Sequence, residues 1–327
     1  MIISRTPYRI SFLGGGTDYP VWYKENGGRV LATTINKYCY ITCRYLPPFF
    51  EHKSRIVYSR MELVKRISEI QHPAVRECLR FLKITRGIEI HHDGDLPARA
   101  GLGSSSAFTV GLLHVLYSLK GTIVTKRRLA LDAIFLEQKV MNEQVGSQDQ
   151  VLAAFGGFNL IEFGGTEQIK VCPVTLSQQR MDSFQENLML FFTGFSRYAS
   201  DIAAEQIKET KNKKRELRTM HQLVDRGVGI LSGNKDLADF GRLLHENWKL
   251  KRSLSSKIST PALDDIYDTA RRAGASGGKI LGAGGGGFML IFARKEAQPK
   301  IREKLKKLLY VPFRFENLGS QIIFYTA

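Results

Sequence analysis

A short loop rich in glycine and serine contains the residue types that could most directly do chemistry. It comprises Gly101, Leu102, Gly103, Ser104, Ser105 and Ser106, and it precedes an apolar stretch, 108–119, that predicts a buried helix. Backbone N–H groups of such a loop and of the first helical turn can bind an anion such as phosphate, which glycines allow to approach closely. The serines add hydroxyl groups for oxygen or metal contacts. The same residues also fit an ordinary helix N-cap with turn glycines, so the loop alone allows both interpretations.

Glu137 is a carboxylate on the apolar side of a predicted helix. Over 126–145, Ala130, Ile134 and Met141 share a helical face with it. An unpaired charge on such a face is unfavourable. Glu137 therefore either reaches water or an arginine at the border of the face, or it binds a metal ion.

Asp149 is predicted in the first turn of a short helix, 148–155. The preceding Ser147, with Gln150 three residues later, resembles a capping box. An acid at this position is favourably placed against the helix dipole, which is enough to explain it. The same placement makes Asp149 a good electrostatic partner for a cation and a mediocre base.

Arg9 and Asp18 flank three glycines, 14–16, at the end of the first predicted strand, 1–13. Arg9 lies inside this strand and Asp18 lies in the turn that follows it. An aspartate in a turn usually makes local backbone hydrogen bonds, so a function for Asp18 needs support from elsewhere in the chain.

Two other motifs match known signatures without the structural context that those signatures need. The segment 282–287 fits the dinucleotide pattern G-x-G-x-x-G, but a strand-like run, 288–292, follows it where a helix is required. The tripeptide 239–241 reads Asp-Phe-Gly, as in protein kinases, but lies in a helical pattern without the other kinase elements. The Walker pattern with its lysine does not occur either. Any phosphate loop in this chain is therefore of another kind.

The elements that must position these residues mix strands and helices without regular βαβ units, which favours an α+β fold. Polarity rises around 175–187, so we expect an N-terminal domain over 1–184 and a C-terminal domain over 185–327. The periodicity predicts strands at 1–13, 30–46, 88–92, 158–172 and 188–192, and helices at 61–82, 126–145, 148–155, 197–226, 235–252, 261–273 and 295–309.

Composition narrows the choice of ligand. The 327 residues include 48 Lys and Arg against 31 Asp and Glu, a net charge of +17, which suits an anionic ligand, nucleic acid or a membrane surface. The basic runs 208–218 and 295–307 have the helical spacing of solvated helix faces, and no nucleic-acid-binding signature occurs. We therefore expect a small anionic substrate, with no nucleic acid or membrane as partner. Nucleic-acid binding through the basic surface stays an alternative. The four cysteines lack metal-ligand spacing, and we expect free thiols and a cytoplasmic protein.

Three blocks together resemble, in order and spacing, the three motifs of the GHMP kinases, the family of galactokinase, homoserine kinase and mevalonate kinase. The blocks are 5–18, 97–107 and 282–288, and they span nearly the whole chain. The resemblance implies an N-terminal domain like the second domain of ribosomal protein S5 and a ferredoxin-like C-terminal domain.

The resemblance also implies a role for each matched residue. The loop from Gly101 to Ser106 would wrap the phosphates of ATP, with Ser105 and Glu137 as ligands of Mg²⁺. Asp149 would face the acceptor hydroxyl, with Arg9 beside it. For the sugar, the implied set is Asp18 with its neighbours Gly16 and Thr17, and the turn residues Gly284 and Gly285. For a phosphate on the sugar we favour Arg197 and Lys279.

Further stretches, 192–197, 245–252 and 277–282, are similar to family members that act on heptose phosphates. This implies ATP-dependent phosphorylation of the anomeric hydroxyl of D-glycero-D-manno-heptose 7-phosphate to the 1,7-bisphosphate, for nucleotide-activated heptose. Galactokinases carry Gly-Glu-His-Thr-Asp where this chain has Gly-Gly-Gly-Thr-Asp, which argues against galactose. An anomeric kinase of another sugar, such as fucose, and a non-catalytic sugar and ATP sensor remain alternatives. Monomer and homodimer both stay open.

Overall fold

The computed structural model describes residues 1–98, 100–164, 169–194 and 199–326. Among these residues, no helix combines the length and apolar character that crossing a membrane requires. The strands are β1 (Ile2–Leu13), β2 (Gly28–Tyr45), β3 (Ser54–Val57), β4 (Met61–Val64), β5 (Ile88–Gly94), β6 (Phe158–Phe163), β7 (Ile169–Pro173), β8 (Leu188–Phe192), β9 (Gly277–Ile280), β10 (Phe288–Phe292), β11 (Leu309–Tyr310), β12 (Phe315–Glu316) and β13 (Gln321–Tyr325). The helices are α1 (Pro20–Asn26), α2 (Pro73–Phe81), α3 (Ser104–Leu119), α4 (Lys126–Phe135), α5 (Gln148–Phe155), α6 (Gln178–Glu186), α7 (Ala199–Glu209), α8 (Lys214–Ser232), α9 (Ala238–Ser253), α10 (Pro261–Arg272) and α11 (Gln298–Lys304).

The first sheet is organised by β2, which pairs with β1 over most of its length, with β6 at its N-terminal end and with β5 at its C-terminal end. The strand order is β13-β1-β2-β5-β3-β4, and only the β3–β5 pair is parallel among these neighbours. The apolar helix α3 packs across β1 and β2. At their contact, the Ser4 hydroxyl donates to the Gly111 carbonyl at 3.0 Å, and a Cβ on Gly111 would lie 2.7 Å from Thr6 Oγ1. This close approach fixes where α3 begins relative to Arg9.

The second sheet has the order β11-β8-β10-β9 and is antiparallel. Its apolar strands are buried on both faces: Leu190 joins the main core, while Phe191 joins a second cluster with Trp248 and Tyr267. Strands β12 and β13 return to the first sheet and pair with β2 and β1. The boundary after residue 184 stays a prediction, and the C-terminal residues complete the N-terminal sheet.

The helix expected over 61–82 is wrong in its first half. Residues 61–64 form β4, a 3₁₀ turn spans Ile67–Glu69, and the helix begins only at Pro73. Proline suits the first turn of a helix but disfavours helical backbone in the residue before it, so α2 begins there.

The helix expected over 126–145 is also shorter. Regular α-helix ends at Phe135, and a π-helical segment, Leu136–Val140, follows it. A π-helical turn contains an extra residue and therefore changes the direction of the side chains that follow it. Glu137 lies in this segment, where it is fully buried, as its place on the apolar face predicts.

Glu89 on β5 is a buried carboxylate whose contribution to the stability of the first sheet can be measured. Its buried carboxylate contacts Arg44 at 2.6 Å, Arg55 at 2.9 Å and His91 at 3.0 Å. Burial raises the pKa of Glu89, but the hydrogen bonds from His91, Arg44 and Arg55 together outweigh burial and lower the pKa to about 2. Ionised Glu89 therefore stabilises the fold above the unfolded-state pKa of about 4.3, and this stabilisation is lost as the pH falls towards 2.

We expect Glu89→Gln to lower the free energy of unfolding by about 2 kcal/mol at pH 7. The difference from the wild type should shrink steadily below pH ~4. Urea unfolding at several pH values measures it. Glu246→Gln, which removes a carboxylate from an exposed ion pair with Arg226, is the control and should change stability little. Equal stability of wild type and Glu89→Gln at pH 7 would contradict the interpretation.

Candidate active site

A cavity of about 850 Å³ opens where glycine segments of the two sheets meet. It lies between the glycine break after β1, the loop before α3 and the turn between β9 and β10. Its wall includes nine of the residues expected from sequence: Arg9, Gly16, Asp18, Gly101, Gly103, Ser104, Ser105, Asp149 and Lys279. Arg197 lies outside the described residues, and the wall does not include the others: Thr17, Leu102, Ser106, Glu137, Gly284 and Gly285.

Arg9 and Asp149 form a bidentate ion pair in the wall of this cavity. Nε and one Nη of Arg9 donate to the two carboxylate oxygens of Asp149, each at 2.7 Å. The other Nη donates to the Gly101 carbonyl at 2.7 Å, and the Arg9 backbone N–H donates to the Leu102 carbonyl at 3.0 Å. The Asp149 side chain keeps 24% of its surface exposed, against 6% for Arg9. The buried arginine therefore fixes a carboxylate that remains open to the cavity.

Asp18 is buried beside this pair and is held by backbone donors. Its carboxylate accepts from the Gly16 N–H at 2.8 Å and from the Gln148 N–H at 3.4 Å. Burial raises the pKa of Asp18, the hydrogen bond from Gly16 opposes that rise, and the charge of Asp149 adds to it. A Cβ on Gly146 would lie 1.9 Å from a carboxylate oxygen of Asp18, so this position requires glycine. Thr17 is structural here, because its hydroxyl shares its one hydrogen between the Gly14 and Arg29 carbonyls and accepts from the Arg29 N–H.

The loop from Gly101 to Ser106, hereafter the Ser loop, adopts the backbone conformation that its glycines allow. Gly101 and Gly103 have φ of +83° and +73°, and Gly103 is the N-cap of α3. The serines therefore do not cap the helix and instead form its first turn, Ser105 exposed and Ser106 buried. A Cβ on Gly103 would lie 3.3 Å from an Asp149 oxygen, so the loop backbone closely approaches the carboxylate.

Glu137 contacts the Ser loop through Ser106, whereas the family resemblance implies Ser105 as the serine that shares Mg²⁺ with Glu137. The Ser106 hydroxyl donates to Glu137 Oε2 at 2.9 Å, and the Gln150 amide donates to the same oxygen. Burial and the nearby charge of Glu143 together raise the pKa of Glu137 to about 7, against the lowering effect of Thr109, Gln150 and Ser106. The other oxygen, Oε1, has no hydrogen-bond partner among the described residues. With Gln150 bonded to Glu137, the capping box expected at Ser147 does not form.

The turn 282–287 supports the Ser loop by backbone contact. A Cβ on Gly282 would lie 2.5 Å from Gly101 Cα, and one on Gly287 would lie 2.3 Å from the Ala100 carbonyl oxygen. The Gly285 N–H donates to the Ile258 carbonyl at 2.9 Å and so is not directed at the cavity. Gly282 and Ala283 are the turn residues in the cavity wall.

We expect Gly282→Ala to destabilise the fold by about 2–4 kcal/mol, because the new Cβ meets backbone and φ is +72°. The control is Gly121→Ala, where φ is +67° but a Cβ would meet nothing within 4 Å. It carries the same conformational strain without the clash. Thermal unfolding of both variants measures the difference, and equal losses of stability would show that the close packing of the two glycine segments contributes nothing.

Two buried lysines reach the same cavity. Lys279 donates to the Ser11 carbonyl at 2.8 Å and to the Phe12 carbonyl at 3.1 Å, and thereby links β9 to β1. Lys251 on α9 donates to the Gly282 carbonyl. Sequence reasoning did not select Lys251, although it lies on one helical face with the buried Leu244 and Trp248, the same signal that identified Glu137.

The part of the cavity wall formed by Ser11, Gly15 and Gln148, hereafter the floor, has polar atoms that could form hydrogen bonds with a ligand. Ser11 Oγ and Gln148 Oε1 are buried and have no hydrogen-bond partner in the part of the chain that the structure describes. A Cβ on Gly15 would lie 3.4 Å from Ser11 Oγ and 3.6 Å from Gln148 Nε2, so the three residues adjoin. Buried polar groups usually have partners, so this floor suits a ligand with hydroxyl groups.

Comparisons with known proteins agree with this architecture. Residues 62–157 match the GHMP kinases N terminal domain, and residues 220–311 match the GHMP kinases C terminal domain. A D-glycero-alpha-D-manno-heptose 7-phosphate kinase from Campylobacter jejuni is 27% identical over 94% of this chain and 93% of its own. An L-fucokinase/L-fucose-1-P guanylyltransferase from Bacteroides fragilis is 25% identical over 94% of this chain but only 36% of its own.

The fold is also that of a solved structure. The crystal structure of a D-glycero-D-manno-heptose 1-phosphate kinase from Bacteroides thetaiotaomicron superposes with a TM-score of 0.81, at 23% identity over all of both chains. The expected α+β fold is confirmed. Both family domains are matched, and the chain belongs to the GHMP kinases, which use ATP as phosphoryl donor.

Proposed function

We propose that this GHMP kinase transfers the γ-phosphoryl group of ATP to the anomeric hydroxyl of D-glycero-D-manno-heptose 7-phosphate, giving the 1,7-bisphosphate. The observation that carries the proposal is the Arg9–Asp149 pair, which holds a partly exposed carboxylate against the Ser loop. The heptose 7-phosphate kinase of Campylobacter jejuni, similar over nearly its whole length, supports the choice of sugar. The side chains of Lys251 and Lys279 lie in the same cavity, and a cationic Lys251 suits a phosphorylated acceptor. Burial lowers the pKa of Lys279 well below its usual value, so Lys279 supports this choice less.

Asp149 would accept the proton of the anomeric hydroxyl or orient that hydroxyl. The hydroxyl oxygen would attack the γ-phosphorus of ATP. The bond between that phosphorus and the bridging oxygen breaks, and ADP leaves with the electron pair. Charge spreads over the transferred group in such a transition state, so positioning and electrostatics dominate. Arg9 fixes the carboxylate, and N–H groups of the Ser loop would face the phosphates.

Glu137 fits a role as ligand of Mg²⁺. Its unpartnered Oε1 is a buried oxygen that favours a cation, and Mg²⁺ in kinases typically uses one or two carboxylates together with phosphate oxygens and water. The hydroxyl of Ser105 would be the second protein ligand, as the family resemblance implies, unless Ser106 takes that role. When bound, the ion would neutralise charge on the phosphates.

A cytoplasmic location is part of the proposal, because the reaction consumes ATP.

A kinase of an unphosphorylated sugar such as fucose is the second candidate, since the fucokinase of Bacteroides fragilis matches 94% of this chain. The chain retains Arg9, Asp18, Ser105, Glu137 and Asp149 together, which argues against a non-catalytic sensor.

An ATP-consumption assay with Mg²⁺ separates these functions. Heptose 7-phosphate, heptose, fucose and galactose are compared at equal concentration, and ³¹P NMR identifies the product. We expect kcat/KM for heptose 7-phosphate to exceed that for heptose by about 100-fold or more, since a charged phosphate contact is lost in the latter. A preference for fucose or for unphosphorylated heptose would overturn the assignment of substrate.

A further inference from the structure

The proposed reaction does not specify which ligand atom the buried ammonium group of Lys251 binds. Lys251 lies on the inner side of α9, is 4% exposed, and lines the cavity. The ammonium has three donors, and one of them is used by the Gly282 carbonyl. No carboxylate forms an ion pair with it among the described residues.

The charges around Lys251 explain why this ammonium favours an anion. Burial and the positive charge of Arg9 together lower the pKa of Lys251 to about 8, and the charges of Asp18 and Asp149 oppose this shift. Asp149 is bonded to Arg9, and the carboxylate of Asp18 accepts from backbone N–H groups, so neither carboxylate pairs directly with Lys251 in the part of the chain that the structure describes. A buried cation without a counterion is unfavourable, and a ligand that carries negative charge would remove this penalty.

The other cations of the cavity are more fully engaged. Arg9 donates to Asp149 and Gly101 through all three of its guanidinium nitrogens. Lys279 donates to two backbone carbonyls of β1. Of these three side chains, Lys251 therefore has the largest share of donors that no atom of the described residues uses.

Lys251 lies close to the Ser loop, because the turn 282–287 connects the two. Its carbonyl partner belongs to Gly282, whose α-carbon packs against Gly101. Gly101 in turn accepts from Arg9. Lys251 and Arg9 thus lie on either side of the contact between the Ser loop and the turn 282–287. Phosphate oxygens bound by the Ser loop would lie beside this contact.

We propose that the ammonium of Lys251 binds a phosphate oxygen of the substrates in this cavity. This inference deepens the proposed function and rests on it for the identity of the sugar. Two phosphates could supply the oxygen: the phosphate already on the acceptor, or the γ-phosphate of ATP. The binding chemistry is the same for both, and the experiment separates them.

The test uses Lys251→Met and Lys251→Gln, with Lys249→Met as control, since Lys249 is exposed on the same helix. Calorimetry measures the binding of heptose 7-phosphate, heptose, ADP and a non-hydrolysable ATP analogue to each protein. We expect both Lys251 variants to lose about 10–100-fold in affinity for one phosphate-bearing ligand, the range of a charged hydrogen bond. Heptose and Lys249→Met should show no change.

A loss confined to heptose 7-phosphate would identify the acceptor phosphate. A loss for the ATP analogue but not for ADP would identify the γ-phosphate. Unchanged affinity for both ligands in a folded variant would overturn the inference, and so would failure of both variants to fold, because Lys251 would then be structural. The wild-type substrate assay tests the proposed function separately. The arm with the ATP analogue stays informative if the sugar assignment is wrong.

Discussion

Asp149→Asn is expected to lower kcat by about 10²–10⁴-fold if the carboxylate accepts the proton of the attacking hydroxyl. Asparagine has the same shape and can keep one hydrogen bond from Arg9, but it cannot take up the proton. Steady-state kinetics at saturating ATP and sugar phosphate measure the loss. KM for both substrates should change much less than kcat, because the side chain still occupies its place against Gly103.

The partner of Asp149 supplies the control for this experiment. Arg9→Met should also lower kcat, and the double variant should be little worse than the worse single variant, because residues that act as one unit are not additive. Independent, multiplicative losses would show that the ion pair is not the functional unit. A loss of kcat below about tenfold for Asp149→Asn would reduce Asp149 to an orienting role.

Glu137→Gln is expected to lower kcat by about 10²-fold or more and to raise the Mg²⁺ concentration needed for half-maximal rate. The substitution keeps the shape of the side chain but removes the charge of a carboxylate whose Oε1 lacks a partner. Calorimetry with a non-hydrolysable ATP analogue, with and without Mg²⁺, gives a readout independent of turnover. The variant should bind the nucleotide almost equally in both conditions.

Two serine variants accompany this experiment. Ser105→Ala and Ser106→Ala test which hydroxyl acts with Glu137, since Ser106 contacts the carboxylate whereas Ser105 is exposed at the cavity. The one with the larger effect on Mg²⁺ dependence identifies the second ligand. If Glu137→Gln keeps the Mg²⁺ dependence of the wild type, Glu137 is a protonated structural group, in agreement with its raised pKa.

Much of the candidate site could be predicted because its signals are local. The glycines of the Ser loop require positive φ, and the structure has it at Gly101 and Gly103. Glu137 lies on an apolar helical face, and it is buried. The roles of these residues stay predictions until the variants are measured. The helix expected over 61–82 is wrong in its first half, because apolar spacing alone did not indicate the strand β4. The helix begins only at Pro73.

The sequence by itself determined the family, the α+β class and the segments that form the cavity, because glycine patterns and apolar periodicity are properties of short stretches of chain. Only the tertiary structure decided which side chains meet. Arg9 and Asp149 are 140 residues apart, and pairing across the sheet and α5 brings them to 2.7 Å. Ser106 and Glu137 are 31 residues apart, and the packing of the first turn of α3 against the segment Leu136–Val140 brings them into contact. Lys251 acquires its position from the packing of α9 against the glycine turn, since burial and charge neighbours depend on contacts between elements distant in sequence.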